Sequence, residues 1–286
     1  MKRPIRLIAI DLDGTLLNSK VELAEENREA LQRAHAAEIE IVLGTGRRHD
    51  FAMPIAGSLG FDLWLLSSNG AITRSTRGAT FHRDLLPMNT CRRLGQAMRR
   101  YRNNMVLTFD RVAKGAIVCE SHERLYGVIQ RWMDKNAQFI EYVTPIEMAL
   151  TEDPIQAMFC GPIELMNRAQ AELDALDFRG EFTVLRTQYD YRNLCIVDIL
   201  NAGCSKGHAL ERWASYRGFD RSQVMAIGDN YNDVEMLTFA GHAVIMGNAC
   251  DELKQCGWAV TLHHDEHGVA ATIKRVLETN AAIWNA

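Results

Sequence analysis

The chain has no apolar run approaching the roughly 20 residues that a membrane span needs. Its seven cysteines include no CxxC pair, and seven is an odd number. In a chain of 286 residues this argues against a disulfide framework and reads as reduced, cytoplasmic thiols. Positive charge is not in excess: Lys and Arg total 32, Asp and Glu 36, and the net charge is -4. Neither a nucleic-acid partner nor a bulk membrane partner is implied. Lys2 and Arg3 stand near the start, but Asp11 interrupts the apolar run 5–10 too early for a signal peptide, so none is expected. There is no internal repeat and no low-complexity segment. What is present is an ordinary globular composition, 47% hydrophobic and 24% charged. It can bury a full core, as one large domain or two moderate ones.

The most informative stretch is Ile8-Ala9-Ile10-Asp11-Leu12-Asp13-Gly14-Thr15. Two carboxylates stand one residue apart, directly after an apolar run. Carboxylates repel, and keeping both near a sheet edge costs free energy unless a cation or a partner compensates. Chemistry on phosphate supplies a reason: one acid attacks, the second handles the proton, and both face a metal ion.

The pattern around this stretch predicts an α/β architecture. Strands are expected over 5–10, 39–43 and 63–66, with helices over 21–38 and 50–59 between them. That is the βαβ rhythm of a Rossmann-like open parallel sheet. After about residue 83 the pattern changes. Helices are expected over 88–102, 121–135 and 163–176. Strands are expected over 105–109, 115–119, 139–143, 155–160, 182–186 and 194–199, an α+β mixture. The first rhythm then returns. Ser205 caps a helix reaching about 216, and strands follow over 224–227, 243–245 and 258–262. Further helices are expected over 233–239 and 268–277. The expected organisation is a discontinuous core, 1–83 with 201–286, carrying an inserted α+β domain at 84–200.

Asp11, Thr45 and Asp229 each follow the carboxyl end of a predicted core strand, and Lys206 opens a core helix. In an open parallel sheet that edge is where ligands bind. The set suits phosphoryl transfer, with Asp11 as nucleophile. A carboxylate and a phosphate dianion about 4 Å apart repel by roughly 8 kcal/mol at an effective dielectric of about 20. Lys206 alone offsets only about half of that, so a divalent cation is required, and Mg²⁺ on a few carboxylates and waters fits. Asp11 and Asp229 are the metal carboxylates, with the Asp13 main-chain carbonyl as a third ligand. The Thr45 hydroxyl and the Gly46 amide bind non-bridging oxygens. Asp13 protonates the leaving oxygen and later takes a proton from water.

Asp11-Leu12-Asp13-Gly14-Thr15 resembles the DxDGT signature of the haloacid dehalogenase-like (HAD) hydrolases. Leu43-Gly44-Thr45-Gly46-Arg47 looks like the second motif of that family, and Cys204-Ser205-Lys206-Gly207 like the third. Gly228-Asp229-Asn230-Tyr231-Asn232-Asp233 is similar to the fourth, GDxxND, whose acids serve the metal and so add Asp233. Ser68-Asn69-Gly70-Ala71 and Met246-Gly247-Asn248-Ala249 resemble segments of the Cof-type branch, subfamily IIB with a C2-type cap. The resemblance implies the HAD fold, with residues 84–200 as the cap. It also implies a cytoplasmic, Mg²⁺-dependent phosphatase acting on a small phosphorylated metabolite, a sugar phosphate or similar phosphomonoester, through an aspartyl-phosphate. Leu12, Thr45, Gly46, Lys206 and Asn232 would meet the phosphate. Many relatives carry a proline where this chain has Asn201. Other readings stay open: a phosphomutase or phosphotransferase of the same superfamily, a phospho-accepting receiver, or a non-catalytic sensor of a phosphorylated ligand. An ion-pumping ATPase fits poorly, because Asp13 stands where such pumps place a lysine. No oligomeric state is implied.

Several residues carry two readings. Arg47 meets an anionic substrate or pairs with an acid of the cap, and Asn69 faces the same region. Asn232 touches phosphate or metal, or orients an acid. Thr45 caps a helix, binds phosphate, or both. His263, His264 and His267 lack a cysteine or an HExxH helix beside them and read as a solvated loop. Arg99, Arg100 and Arg102 read as a solvated helix end. Cys204 reads as packing.

Overall fold

The computed structural model describes residues 3–121 and 126–284. Its first run of elements is β1 (Leu7–Asp11), α1 (Glu25–Ala36), β2 (Glu40–Gly44), α2 (His49–Gly57), β3 (Trp64–Ser67), β4 (Ile72–Ser75) and β5 (Thr80–Arg83). Then come α3 (Met88–Ala97), β6 (Met105–Thr108), β7 (Ile117–Cys119), α4 (Tyr126–Asn136), β8 (Ile140–Tyr142), β9 (Gln156–Gly161), α5 (Ile163–Asp174), β10 (Phe182–Tyr189) and β11 (Leu194–Asn201). The last run is α6 (Lys206–Tyr216), β12 (Val224–Gly228), α7 (Val234–Phe239), β13 (His242–Ile245), α8 (Asp251–Lys254), β14 (Ala259–Val260) and α9 (Gly268–Trp284). Two compact units result, 1–83 with 205–286, and 84–204.

The first unit is built on one eight-stranded sheet in the order β14-β13-β12-β1-β2-β3-β4-β5. From β14 to β3 all pairs are parallel. β1 and β12 are buried along their whole length, because helices cover both faces. Alternation along β1 feeds two cores. Ile8 and Ile10 join Leu31, Leu43 and Ile273 on one face. Leu7 and Ala9 join Val42, Trp213 and Met236 on the other. Helix α1 buries Asn27, Ala30, Leu31 and Ala34, an i, i+3, i+4, i+7 stripe. β1 lies between β2, its successor in the chain, and β12, so the strand order reverses there. The carboxyl end of β1 is therefore a topological switch point.

Three local expectations change. Residues 21–24 are not helical: Val21 takes a left-handed φ of 64°, Leu23 bridges Leu17, and α1 begins at Glu25. The antiparallel hairpin of β4 and β5 extends the sheet beyond its parallel part. β14 covers only Ala259–Val260 of the expected 258–262. The expected helix over 121–135 corresponds to α4, and its residues 122–125 lie outside the described residues.

The second unit is a six-stranded sheet, β10-β11-β9-β6-β7-β8. It is antiparallel except for the β7–β8 pair. Its own core gathers Leu94, Met98, Phe109, Phe159, Met166 and Val197. The unit reaches Cys204 rather than stopping near 200, because β11 stays paired with β10 to its last residue, Asn201 opposite Phe182. The Asn201 side chain donates to Asp84 Oδ1 at 2.7 Å, which ties the last strand of the unit to its first residue. Among the described residues no helix is long and apolar enough to cross a membrane.

Candidate active site

Asp11 is the last residue of β1, and its carboxylate sits buried at the switch point. Lys206, first residue of α6, reaches it: Nζ donates to Asp11 Oδ1 at 2.6 Å and to Asp233 Oδ1 at 2.7 Å. Ser205 sets this helix start, its hydroxyl accepting from the His208 amide at 3.1 Å. At Gly44 the tight neighbour of an added Cβ would be Met236 Sδ at 3.2 Å, while the lysine stem would lie in ordinary contact at 3.6 Å. Lys206 and Asp233 are fully buried.

The loop after β12 carries Asp229 and Asp233. The second oxygen of Asp233 accepts from the Asp229 amide at 3.1 Å and the Asn230 amide at 3.2 Å. With its first oxygen on Lys206, Asp233 braces the loop. Asp229 Oδ1 accepts from the Thr15 hydroxyl at 3.0 Å. Gly14 makes that approach possible. Its φ is +89°, and a Cβ there would stand 2.3 Å from Asp229 Oδ2.

Asp11, Asp229 and Asp233 each offer an oxygen, and these lie within 4.8 Å of one another. One ammonium serves this group, so negative charge is in excess. Burial, then the Asp233 charge, pushes Asp11 up to about 7 against the pull of Lys206. Asp229 is pushed well above the usual carboxylate range by burial, then by Asp11 and Asp233. Burial opposes the Lys206 charge, but Asp11 and Asp233 more than offset it, and its pKa rises. Clustered, protonation-prone carboxylates on hard oxygen ligands fit a hard divalent cation.

Across the sheet edge, Thr45 follows β2 and is buried. Its hydroxyl oxygen accepts from the Arg47 amide at 3.1 Å, which leaves the O–H free to donate elsewhere. A Cβ at Gly46 would crowd Asn69 Oδ1 at 3.3 Å. The Leu12 side chain belongs to the core, so that residue offers only main-chain groups. Arg47 grips Asp13 in a two-pronged contact, Nε to Oδ2 at 2.7 Å and Nη2 to Oδ1 at 2.5 Å. Asp13 belongs to the same unit as Arg47. Asn69 is fully buried, with φ 54°, and its side-chain oxygen accepts from Asn232 Nδ2 at 2.9 Å. That contact makes Asn69 and Asn232 a mutual brace.

The structure thus brings Asp11, Thr45, Lys206, Asp229, Asn232 and Asp233 to one sheet edge. It adds residues to which the sequence assigned no role. Thr15 holds Asp229. Asn248 Nδ2 donates to the Gly14 carbonyl at 2.8 Å and lies 3.5 Å from Asp229 Oδ2. Both stand inside recognisable motifs, which was the available signal. His264 is not solvated: its ring Nδ1 lies 3.1 Å from the same Gly14 carbonyl.

Comparison with known proteins gives a consistent picture. The model of the haloacid dehalogenase-like hydrolase family matches residues 8–273. The chain is 29% identical over 290 residues to phosphatase YwpJ of Bacillus subtilis, covering 96% of this chain and 100% of that protein. It is 29% identical over 250 residues to the HMP-PP phosphatase of Shigella flexneri, covering 87% and 86%. Among solved structures, a haloacid dehalogenase-like hydrolase from B. subtilis superposes with a TM-score of 0.79 at 28% identity, over 94% of this chain and 99% of that one.

Proposed function

The chain belongs to the haloacid dehalogenase-like hydrolases, in their Cof-type branch, and from that membership and the site geometry we propose a Mg²⁺-dependent phosphatase acting on a small phosphomonoester such as a sugar phosphate. One observation carries the reading: a buried Asp11 carboxylate ends the switch-point strand with Lys206 on one oxygen. Asp229 and the Thr45 hydroxyl stand at the same edge. Two relatives whose names describe phosphatases support the reaction class.

The free oxygen of Asp11 attacks phosphorus and takes the phosphoryl group as an aspartyl-phosphate. Lys206, the Thr45 hydroxyl and the main-chain amides at Leu12 and Gly46 receive the equatorial oxygens as charge builds on them. Asp13 gives its proton to the departing oxygen, then takes one from the water that cleaves the acyl-phosphate. Inorganic phosphate leaves and both acids are restored. Mg²⁺, held by Asp11, Asp229 and the Asp13 main-chain carbonyl, would offset the repulsion between carboxylate and phosphate. Asp233 orients Lys206 and the Asp229 loop, and Asn232 and Asn69 hold the floor behind Gly46. Residues 84–200 act as the cap that selects substrate. A cytoplasmic setting accords with seven free cysteines, five of them buried.

Asp11→Asn tests the nucleophile. The variant should fold, with an unchanged circular dichroism spectrum, and release no phosphate from a generic aryl phosphate. Parental turnover in that variant removes Asp11 from the role. Phosphate release from the parent protein should need Mg²⁺ and stop on addition of a chelator.

A further inference from the structure

The loop before α9 places three side chains together outside the carboxylate cluster: His263, His264 and Asp265 each offer one ligand atom, all within 4.8 Å of one another. The other contacts of these side chains fix where their lone pairs point. His264 Nδ1 faces the Gly14 carbonyl at 3.1 Å. A carbonyl oxygen only accepts, so Nδ1 carries the hydrogen and Nε2 carries the lone pair. That Nε2 lies 3.6 Å from Asp265 Oδ2. His263 Nδ1 accepts from the Asp265 amide at 3.1 Å, so its lone pair is held on that amide, with Nδ1 3.8 Å from Asp265 Oδ2. The other Asp265 oxygen accepts from the Ser19 amide at 2.8 Å, which holds the carboxylate in place. Three acceptors converge, with separations too long for a hydrogen bond between them.

The geometry points to a second metal site, for a borderline transition ion of the Zn²⁺ class, on His263 Nδ1, His264 Nε2 and Asp265 Oδ2. Two imidazoles and one carboxylate suit Zn²⁺ and not Mg²⁺. Ligand atoms around tetrahedral Zn²⁺ stand about 3.4 Å apart, so the two imidazole-to-carboxylate gaps, 3.6 and 3.8 Å, close by a few tenths of an ångström, and the two imidazole nitrogens start within 4.8 Å of each other. Zn²⁺ takes the His263 lone pair from the Asp265 amide and keeps an open fourth position for water, since His263 and Asp265 are each 42% exposed. The Nδ1–H of His264 on a backbone carbonyl is the outer contact that metal-bound imidazoles commonly make. Here the carbonyl is that of Gly14, which also accepts from Asn248. A metal at this loop polarises the His264 ring, strengthens its grip on Gly14 and tethers the segment that carries Asp13. The site is independent of the phosphatase reading.

Calorimetric titration of Zn²⁺ into protein kept in millimolar Mg²⁺ tests it. The parent should bind one Zn²⁺ in an event that His263→Ala and Asp265→Asn each weaken by at least about tenfold. Asp11→Asn should retain that event, since it alters only the carboxylate cluster. Zinc-edge X-ray absorption of the 1:1 complex should show two imidazole nitrogens. Isotherms of the two loop variants that superpose on the parent, or an all-oxygen shell, overturn the assignment. Both substitutions are at half-exposed positions, and a circular dichroism check separates loss of binding from loss of fold.

Discussion

Arg47 and Asp13 form a fork-to-fork pair at 2.5 and 2.7 Å, the geometry in which a guanidinium fixes a carboxylate in direction as well as place. Both side chains are partly exposed, 26% and 32%. A pair in such a setting adds little to stability. Its value is orientation: both Asp13 oxygens accept from Arg47, and one must be released before the group carries a proton to the leaving oxygen. Arg47→Ala should therefore act selectively. On an alkyl phosphate, whose leaving group needs protonation, kcat should fall by about 10 to 100-fold. On an aryl phosphate with an acidic leaving group the change should be about threefold or less. Equal losses on both substrates would assign Arg47 to phosphate binding instead. The sequence marked Arg47 as a residue of interest but not its partner, because the two are 34 positions apart and only folding selects among nearby acids.

At the scale of elements, the start of α6 decides where the ammonium goes. Ser205 caps the helix, Lys206 is its first residue, and Gly207 lets it approach the next helical layer, where a Cβ would meet the Glu235 backbone at 2.6 Å. Ser205→Ala should cost about 1 kcal/mol of stability. It should also lower kcat, since a frayed first turn loosens the Lys206 contacts to Asp11 and Asp233. Denaturant midpoints and phosphate release read the two effects, and an unchanged midpoint would show that the cap is dispensable. Elements differ in how legible they are. β1, β2 and β12 stand out as apolar runs because both faces are covered. β4 and β5 are not legible because their Thr, Arg, Ser and His break any apolar run, although three of the four β4 residues are buried and only β5 lies at the exposed edge. Helix α1 starts later than composition predicts, because 21–24 has helical composition but is held by the Leu17–Leu23 bridge.

At the scale of the whole molecule, the excess of buried carboxylate makes stability depend on pH and on metal. The Asp11 carboxyl is raised from 3.8 to about 7 in the folded protein. The folded state therefore keeps a proton that the unfolded chain has released. Without metal, stability should fall as pH climbs from about 4 through about 7, and Asp229 shifts in the same direction. A bound divalent cation favours the ionised carboxylates and should reduce the fall. Urea midpoints at pH 5 and pH 8 check this. With chelator the midpoint should be higher at pH 5, and Mg²⁺ should narrow the gap. Identical midpoints with chelator would mean that the carboxylates carry no strain.

The placement of β1 between β2 and β12 also has a consequence for synthesis. On the ribosome, β2 emerges soon after β1, but β12 waits until the whole of 84–204 has been made. Through that interval β1 offers one unpaired edge along a strand that is apolar up to Asp11, the kind of surface that recruits other chains. A product ending at residue 204 should sediment as aggregate, although its second unit has a core of its own. A soluble, monomeric product of that length would show that the edge is protected by other means. The strand that delivers the proposed nucleophile is thus among the last to be sealed, and the nascent chain is a natural client for a chaperone before it is an enzyme.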